Sequence, residues 1–201
     1  TPISIMDCVN DHNSIKFYIV DQLAEDLKTC GRACLKAFKV HRRFVHLEFF
    51  RLLEDHPYLG KKGQVVGLEV NMRPSGGFTP DMINFARETD VYKIWADMVA
   101  YDSTQKPVGA HHFCAFAGLR DGKDFAMTPD AIIEKYTEQL KMVERMPDAL
   151  SDAMGNQMYL ATFDTEEALN AFFADVTRLK EVDTSEESET AETIVVQVER
   201  T

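Results

Sequence analysis

The feature that most limits how this chain can fold is a pair of extended segments, Arg43 to Leu52 and Gln64 to Arg73, joined by the polar stretch LEDHPYLGKKG. Strand residues alternate between two faces. In the second segment Val66, Leu68, Val70 and Met72 therefore belong on one side, and Glu69, Asn71 and Arg73 on the other. In the first segment His46, Glu48 and Phe50 share a face opposite Val45, Leu47 and Phe49. A connecting loop with a proline and two glycines suits an antiparallel hairpin. In the natural register, Glu48 lies near Glu69 and Asn71 over one cleft.

Two carboxylates and an amide oxygen, with no thiol, suit a hard cation such as Mg2+, which keeps positions for water or substrate phosphates. Arg73, two residues past the amide, suits a phosphate or a developing oxyanion because its fork donates two hydrogen bonds at once. The following Pro74-Ser75-Gly76-Gly77 allows close backbone approach. The same alternation also describes an ordinary solvated strand face on which Arg73 only pairs the acids.

Around this hairpin the spacing predicts an α+β chain. Strands are expected at Ile3 to Val9 and Lys16 to Val20, then a helix from Gln22 to Lys39 with Leu23, Leu27, Cys30, Cys34 and Phe38 on its apolar face. Thr79-Pro80-Asp81 reads as N-cap, first-turn proline and an acid at the positive end of a helix dipole. A second helix is expected from Asp90 to Ala100, with Val91, Ile94, Trp95, Met98 and Val99 on one side. After the polar stretch DSTQKP come a strand from Val108 to Leu119, a turn at Arg120-Asp121-Gly122-Lys123 and a short strand from Asp124 to Met127. A helix then starts at Thr128-Pro129-Asp130, its buried stripe formed by Ile132, Ile133, Tyr136, Leu140 and Val143. Met158 to Phe163 is read as a strand. Asp164 with Glu167 resembles a capping box before a last helix buried through Leu169, Phe172, Phe173 and Val176. Residues 182–201 are expected to be a mobile acidic tail, with a strand conceivable at Ile194 to Val198.

With 201 residues the chain is long enough for a sizeable core, and no apolar run reaches membrane-spanning length. The net charge of −11 disfavours sequence-independent nucleic-acid binding. Four cysteines without a CxxC spacing read as reduced core thiols of a cytoplasmic protein. The start has neither Met nor a signal-peptide pattern, so the chain is expected to be cut from a longer one.

The string Glu69-Val-Asn71-Met-Arg73-Pro-Ser-Gly-Gly, preceded by His46-Leu-Glu48-Phe-Phe50, resembles the C-terminal end of an ATP-grasp domain. That superfamily includes biotin carboxylase, carbamoyl-phosphate synthetase, D-alanine ligase and the purine-pathway carboxylate ligases. The resemblance is strongest over residues 40–101. It implies the C-terminal half of an ATP-grasp domain at 1–101, an antiparallel sheet with flanking helices, followed by a small α+β domain at 102–181. It implies ATP and Mg2+ (or Mn2+) as cofactors, with Glu69 bridging two ions and Glu48 and Asn71 completing the metal set. Arg73 would hold the transferring phosphoryl group or acyl-phosphate, and Phe50 would pack against adenine. The implied partners are a small carboxylate substrate and a nucleophile, and neither nucleic acid nor membrane.

Two departures from the family accompany this reading. Biotin carboxylases carry a Glu four residues past the arginine, where this chain has Gly77, so bicarbonate-dependent carboxylation is disfavoured. The phosphate-covering glycine-rich loop and ATP-contacting lysines have no counterpart before residue 40, because Lys16, Lys28, Lys36 and Lys39 fall on a strand or an amphipathic helix. The chain alone is therefore expected to be inactive, and the surface left by the missing half to favour self-association. A non-catalytic regulatory or oligomerisation module is the main alternative, and a Mg2+-dependent phosphohydrolase a weaker one. The alternation of His111, His112 and Cys114 opposes one histidine to the other two residues, which disfavours a zinc site. His46 reads as a hydrogen-bonded structural histidine.

Overall fold

The computed structural model describes residues 9–104 and 109–180. Its class is α+β, with antiparallel sheets and six helices among the described residues. In chain order these are β1 (Ile15–Ile19), α1 (Glu25–Ala37), β2 (His46–Arg51), β3 (Val65–Asn71), α2 (Thr79–Arg87), α3 (Val91–Tyr101), β4 (Phe113–Leu119), α4 (Pro129–Lys135), β5 (Leu140–Arg145), α5 (Asp148–Met154), β6 (Gln157–Phe163) and α6 (Glu166–Thr177). β1, β4, β6 and β5 form one four-stranded sheet in that order, and β2 and β3 form a separate hairpin.

The four-stranded sheet is buried on both faces, which explains why β4 reads as the unbroken apolar run FCAFAGL. On one face Ile15, Cys114, Phe116, Met158 and Leu160 meet Met82 and Ala86 of α2. On the other, the small residues Ala115, Ala117 and Ala161 leave room for Leu169, Phe172, Phe173 and Val176 of α6. Tyr136 closes that layer edge-on to Phe172, with ring centroids 4.9 Å apart. β4 also approaches the end of α5 closely: a Cβ on Gly118 would stand 2.0 Å from the Met154 carbonyl oxygen. Because β1 pairs with β4 and α2 packs on it, residues from both sides of the expected boundary at 101/102 contribute to one core.

Several local expectations need correction. Tyr136, Leu140 and Val143 do not continue one helix: α4 ends at Lys135, and Leu140–Arg145 is the edge strand β5. Their spacing also fits a strand entered through a turn, in which the Gln139 amide bonds the Tyr136 carbonyl. Ile133 is accordingly exposed. The segment 124–127 forms only a single bridge, Phe125 to Leu179, rather than a strand. The cap of α6 is Thr165, whose hydroxyl accepts from the Ala168 amide at 3.2 Å, while Asp164 turns to His112. Thr79 lies inside α2 rather than capping it, whereas Asp90 and Thr128 cap α3 and α4. Val9 and Asn10 are helical, so the expected strand does not extend to Val9; its remainder lies outside the described residues, as do Cys8 and the tail from 182. α1 forms close to its expected range, yet none of its residues is buried, and Leu23 and Phe38 at its margins are exposed.

Asp175 fastens α6 to α4. It accepts from the Lys135 ammonium and the Tyr136 hydroxyl, which together hold its carboxyl below the usual value of 3.8. A depressed carboxylate stabilises the fold fully above its unfolded pKa, and that contribution fades as the pH falls through the folded one. Asp175→Asn should therefore cost about 1 kcal/mol at neutral pH, and urea denaturation should show the gap closing as the pH drops below 3.8. A gap unchanged in acid would contradict this role.

Candidate functional site

The hairpin sets the site through its register. His46 lies opposite Asn71, Leu47 opposite Val70 and Glu48 opposite Glu69, so His46, Glu48, Glu69 and Asn71 share one face. The expected cross-strand neighbourhood of Glu48, Glu69 and Asn71 is thus present in the backbone. The Asn71 amide nitrogen donates to Glu69 Oε1 at 2.8 Å, so its carbonyl oxygen is the atom that could ligate a cation. His46 Nε2 stands 3.5 Å from Glu48 Oε1, and its Nδ1 is buried without a hydrogen-bond partner, unlike the bonded structural histidine expected.

A bulge beyond Glu48 changes the rest of the pattern. Phe49 pairs with Gly67 and Phe50 with Val66, which leaves Leu68 as the extra residue. Val66 therefore joins the Glu48 face through Phe50 instead of sharing a side with Val70, as strict alternation requires. Phe50 sits one step along from Glu48 and is 53 % exposed, an apolar ring open to solvent beside the acids.

Two attachments hold the hairpin. The Arg51 guanidinium grips both oxygens of Asp26 on α1, at 2.7 and 3.1 Å, and holds that carboxyl below its ordinary range. At the other end Phe44 stacks on Trp95 of α3 with centroids 5.9 Å apart. Leu47 lies 3.8 Å from the position a Cβ on Gly31 of α1 would take. The helix thus packs on the Leu47 side, and the carboxylates are on the opposite side.

Arg73 lies just past β3. Its Nη1 donates to the Pro74 carbonyl oxygen at 2.9 Å, and among the described residues it makes no hydrogen bond or ion pair with Glu48, Glu69 or Asn71. It instead lines a cavity of about 430 Å3 with Phe44, Pro74, Gly77, Tyr92 and Trp95. Gly77 has φ +58°, and a Cβ there would come within 3.1 Å of Met154 Cε, so both its conformation and its space favour glycine. The cavity escaped sequence reasoning because Phe44, just ahead of β2, and Trp95 of α3 meet only through tertiary packing.

The donor set on the hairpin, two carboxylates and an amide oxygen, fits a hard cation with open positions. Among the described residues no group of three or more His, Cys, Asp and Glu is arranged to hold a metal by itself, so Asn71, water or a phosphate would have to supply further ligands. His111 faces Asp21 at 3.3 Å, while His112 stands between Asp164 and Glu88 at 2.8 and 3.7 Å. Cys114 is fully buried, and burial pushes its thiol up to about 12, which leaves it unreactive. No helix among the described residues is long and apolar enough to cross a membrane. Comparison with protein-family models gives no match, and comparison with curated proteins gives none either.

Like charges directly opposite in a hairpin repel. Glu48→Gln should therefore raise stability in the presence of EDTA by about 0.2–1 kcal/mol, and a cation site on these acids predicts that millimolar Mg2+ stabilises the wild-type chain but not the variant. A thermal melt of both proteins, with and without Mg2+, checks this; equal Mg2+ gains would contradict a metal role for Glu48.

Proposed function

We propose that this chain is the metal- and phosphate-binding part of an ATP-dependent carboxylate ligase of the ATP-grasp type. The observation that supports this reading best is the register that puts Glu48 opposite Glu69, with Asn71 bonded to Glu69 on the side away from α1. In this reading Glu48, Glu69 and the Asn71 carbonyl oxygen hold Mg2+ (or Mn2+), which when bound neutralises charge on ATP phosphates and on the departing group. Phe50 offers its exposed ring to the adenine. Arg73 binds the carboxylate being activated or the acyl-phosphate it becomes, with two hydrogen bonds available from one planar group.

The cavity beside Arg73 suits the body of such a carboxylate. Its wall is largely apolar, from Phe44, Val91 and Trp95, so a substrate would place its charged end on the guanidinium and its carbon skeleton against the rings. The nucleophile then attacks the acyl-phosphate. In this reading residues 1–201 lack the glycine-rich cover and the ATP-contacting lysines of the family, and on their own turn over no ATP. Exposed apolar side chains on the hairpin and helices, among them Phe38, Phe50, Leu68 and Val99, are consistent with a surface that such a segment or a second copy covers.

Glu69→Gln removes charge without volume. In the full-length protein it should abolish Mg-ATP turnover while leaving the circular dichroism spectrum and the melting midpoint close to wild type. Undiminished ATP turnover by that variant would contradict the assignment. ATP hydrolysis that no added carboxylate stimulates would favour a phosphohydrolase instead.

A further inference from the structure

We propose that a cavity at the end of β4, β5 and β6, on the α6 side of the sheet and away from the hairpin, binds a small organic anion with an apolar body. The cavity measures about 320 Å3 and is lined by Tyr159, Arg120, Lys123, Arg145 and Lys180 over an apolar floor that includes Phe125 and Ile132. That volume is at the lower end of those that take small ligands.

An unpaired hydroxyl and an excess of positive charge point to a ligand. Tyr159 is fully buried, yet its hydroxyl has no hydrogen-bond partner. Leaving a buried hydroxyl unpaired is unfavourable, and native interiors rarely do so without reason. The phenol lies within electrostatic reach of Asp130 and, more weakly, of Arg145, of which Arg145 lines the cavity and Asp130 does not.

The second is a charge. Arg120 is only 7 % exposed, and its guanidinium donates to the backbone carbonyls of Asn13, Ser151 and Asp152. Among the described residues no carboxylate neutralises it. Lys123 bonds the neutral Asn13 side chain at 3.3 Å, whereas Arg145 is matched by Asp121 and Lys180 lies 3.8 Å from Asp124. The lining therefore keeps two positive charges in excess in a protein whose net charge is −11. An anion there would accept from Tyr159 and face Lys123, while its body rests on Phe125 and Ile132.

The carboxylate and phosphate versions share this chemistry, and three probes separate them. Phenylacetate, phenyl phosphate and inorganic phosphate are titrated into the full chain and followed by amide chemical shifts. The expected result is saturable shifts at Lys123 and Tyr159 with at least one aryl anion, and weaker binding of inorganic phosphate. Tyr159→Phe should keep the fold, since no partner is lost, and weaken that binding about tenfold. Lys123→Gln, at a half-buried loop position, should weaken it by a similar factor. Absence of shifts with both aryl anions, unchanged affinity in Tyr159→Phe, or equal affinity for inorganic and phenyl phosphate would overturn the proposal. None of these readouts depends on Glu48, Glu69 or ATP turnover.

Discussion

The pairing of β2 with β3 is the constraint on which the functional reading depends. A slip of one residue would turn every side chain of one strand to the other face, sending Glu69 and Asn71 toward α1 while Glu48 stayed outside. Placing two carboxylates directly across a ladder opposes this register electrostatically. The arrangement is retained by apolar and ionic contacts on the other side, Leu47 against α1 and Arg51 on Asp26, and by Phe44 stacked on Trp95. An acid pair held in place by contacts elsewhere is what the proposed cation site requires.

The four-stranded sheet supplies the rigid part. β4 is buried on both faces, with α2 on one side and α6 on the other, and the loop after β3 reaches this body through Gly77 against Met154. The hairpin itself adds little core: α1 has no buried residue, and several large apolar side chains around it face solvent. Stability and candidate chemistry are thus divided between two sheets, the larger one well packed and the smaller one open on its polar side.

Much of this was legible in the sequence because period-two alternation and capping chemistry are local. The strands of the hairpin, the helix starts at Asp90 and Thr128, and the buried face of α6 through Leu169, Phe172, Phe173 and Val176 all follow from neighbours a few residues apart. The convergence of Glu48 with Glu69 needed only the simplest register. What escaped was set by distant partners. Tyr136, Leu140 and Val143 fit helical spacing, and only pairing with β6 makes Leu140–Arg145 a strand. The bulge at Leu68, which moves Val66 to the site face, lies beside Gly67, and a lone glycine inside a strand does not say by itself which way the register shifts. The cavity beside Arg73 and the unpartnered Tyr159 hydroxyl arise from tertiary packing alone.

The most direct test of the central claim is Mn2+ titration of the isotopically labelled chain with amide relaxation as the readout. The account predicts selective broadening at Glu48, Glu69 and Asn71, strengthened by ATP and lost in Glu69→Gln. Broadening confined to other acids, such as those of the C-terminal tail, would contradict a magnesium-nucleotide site on the hairpin.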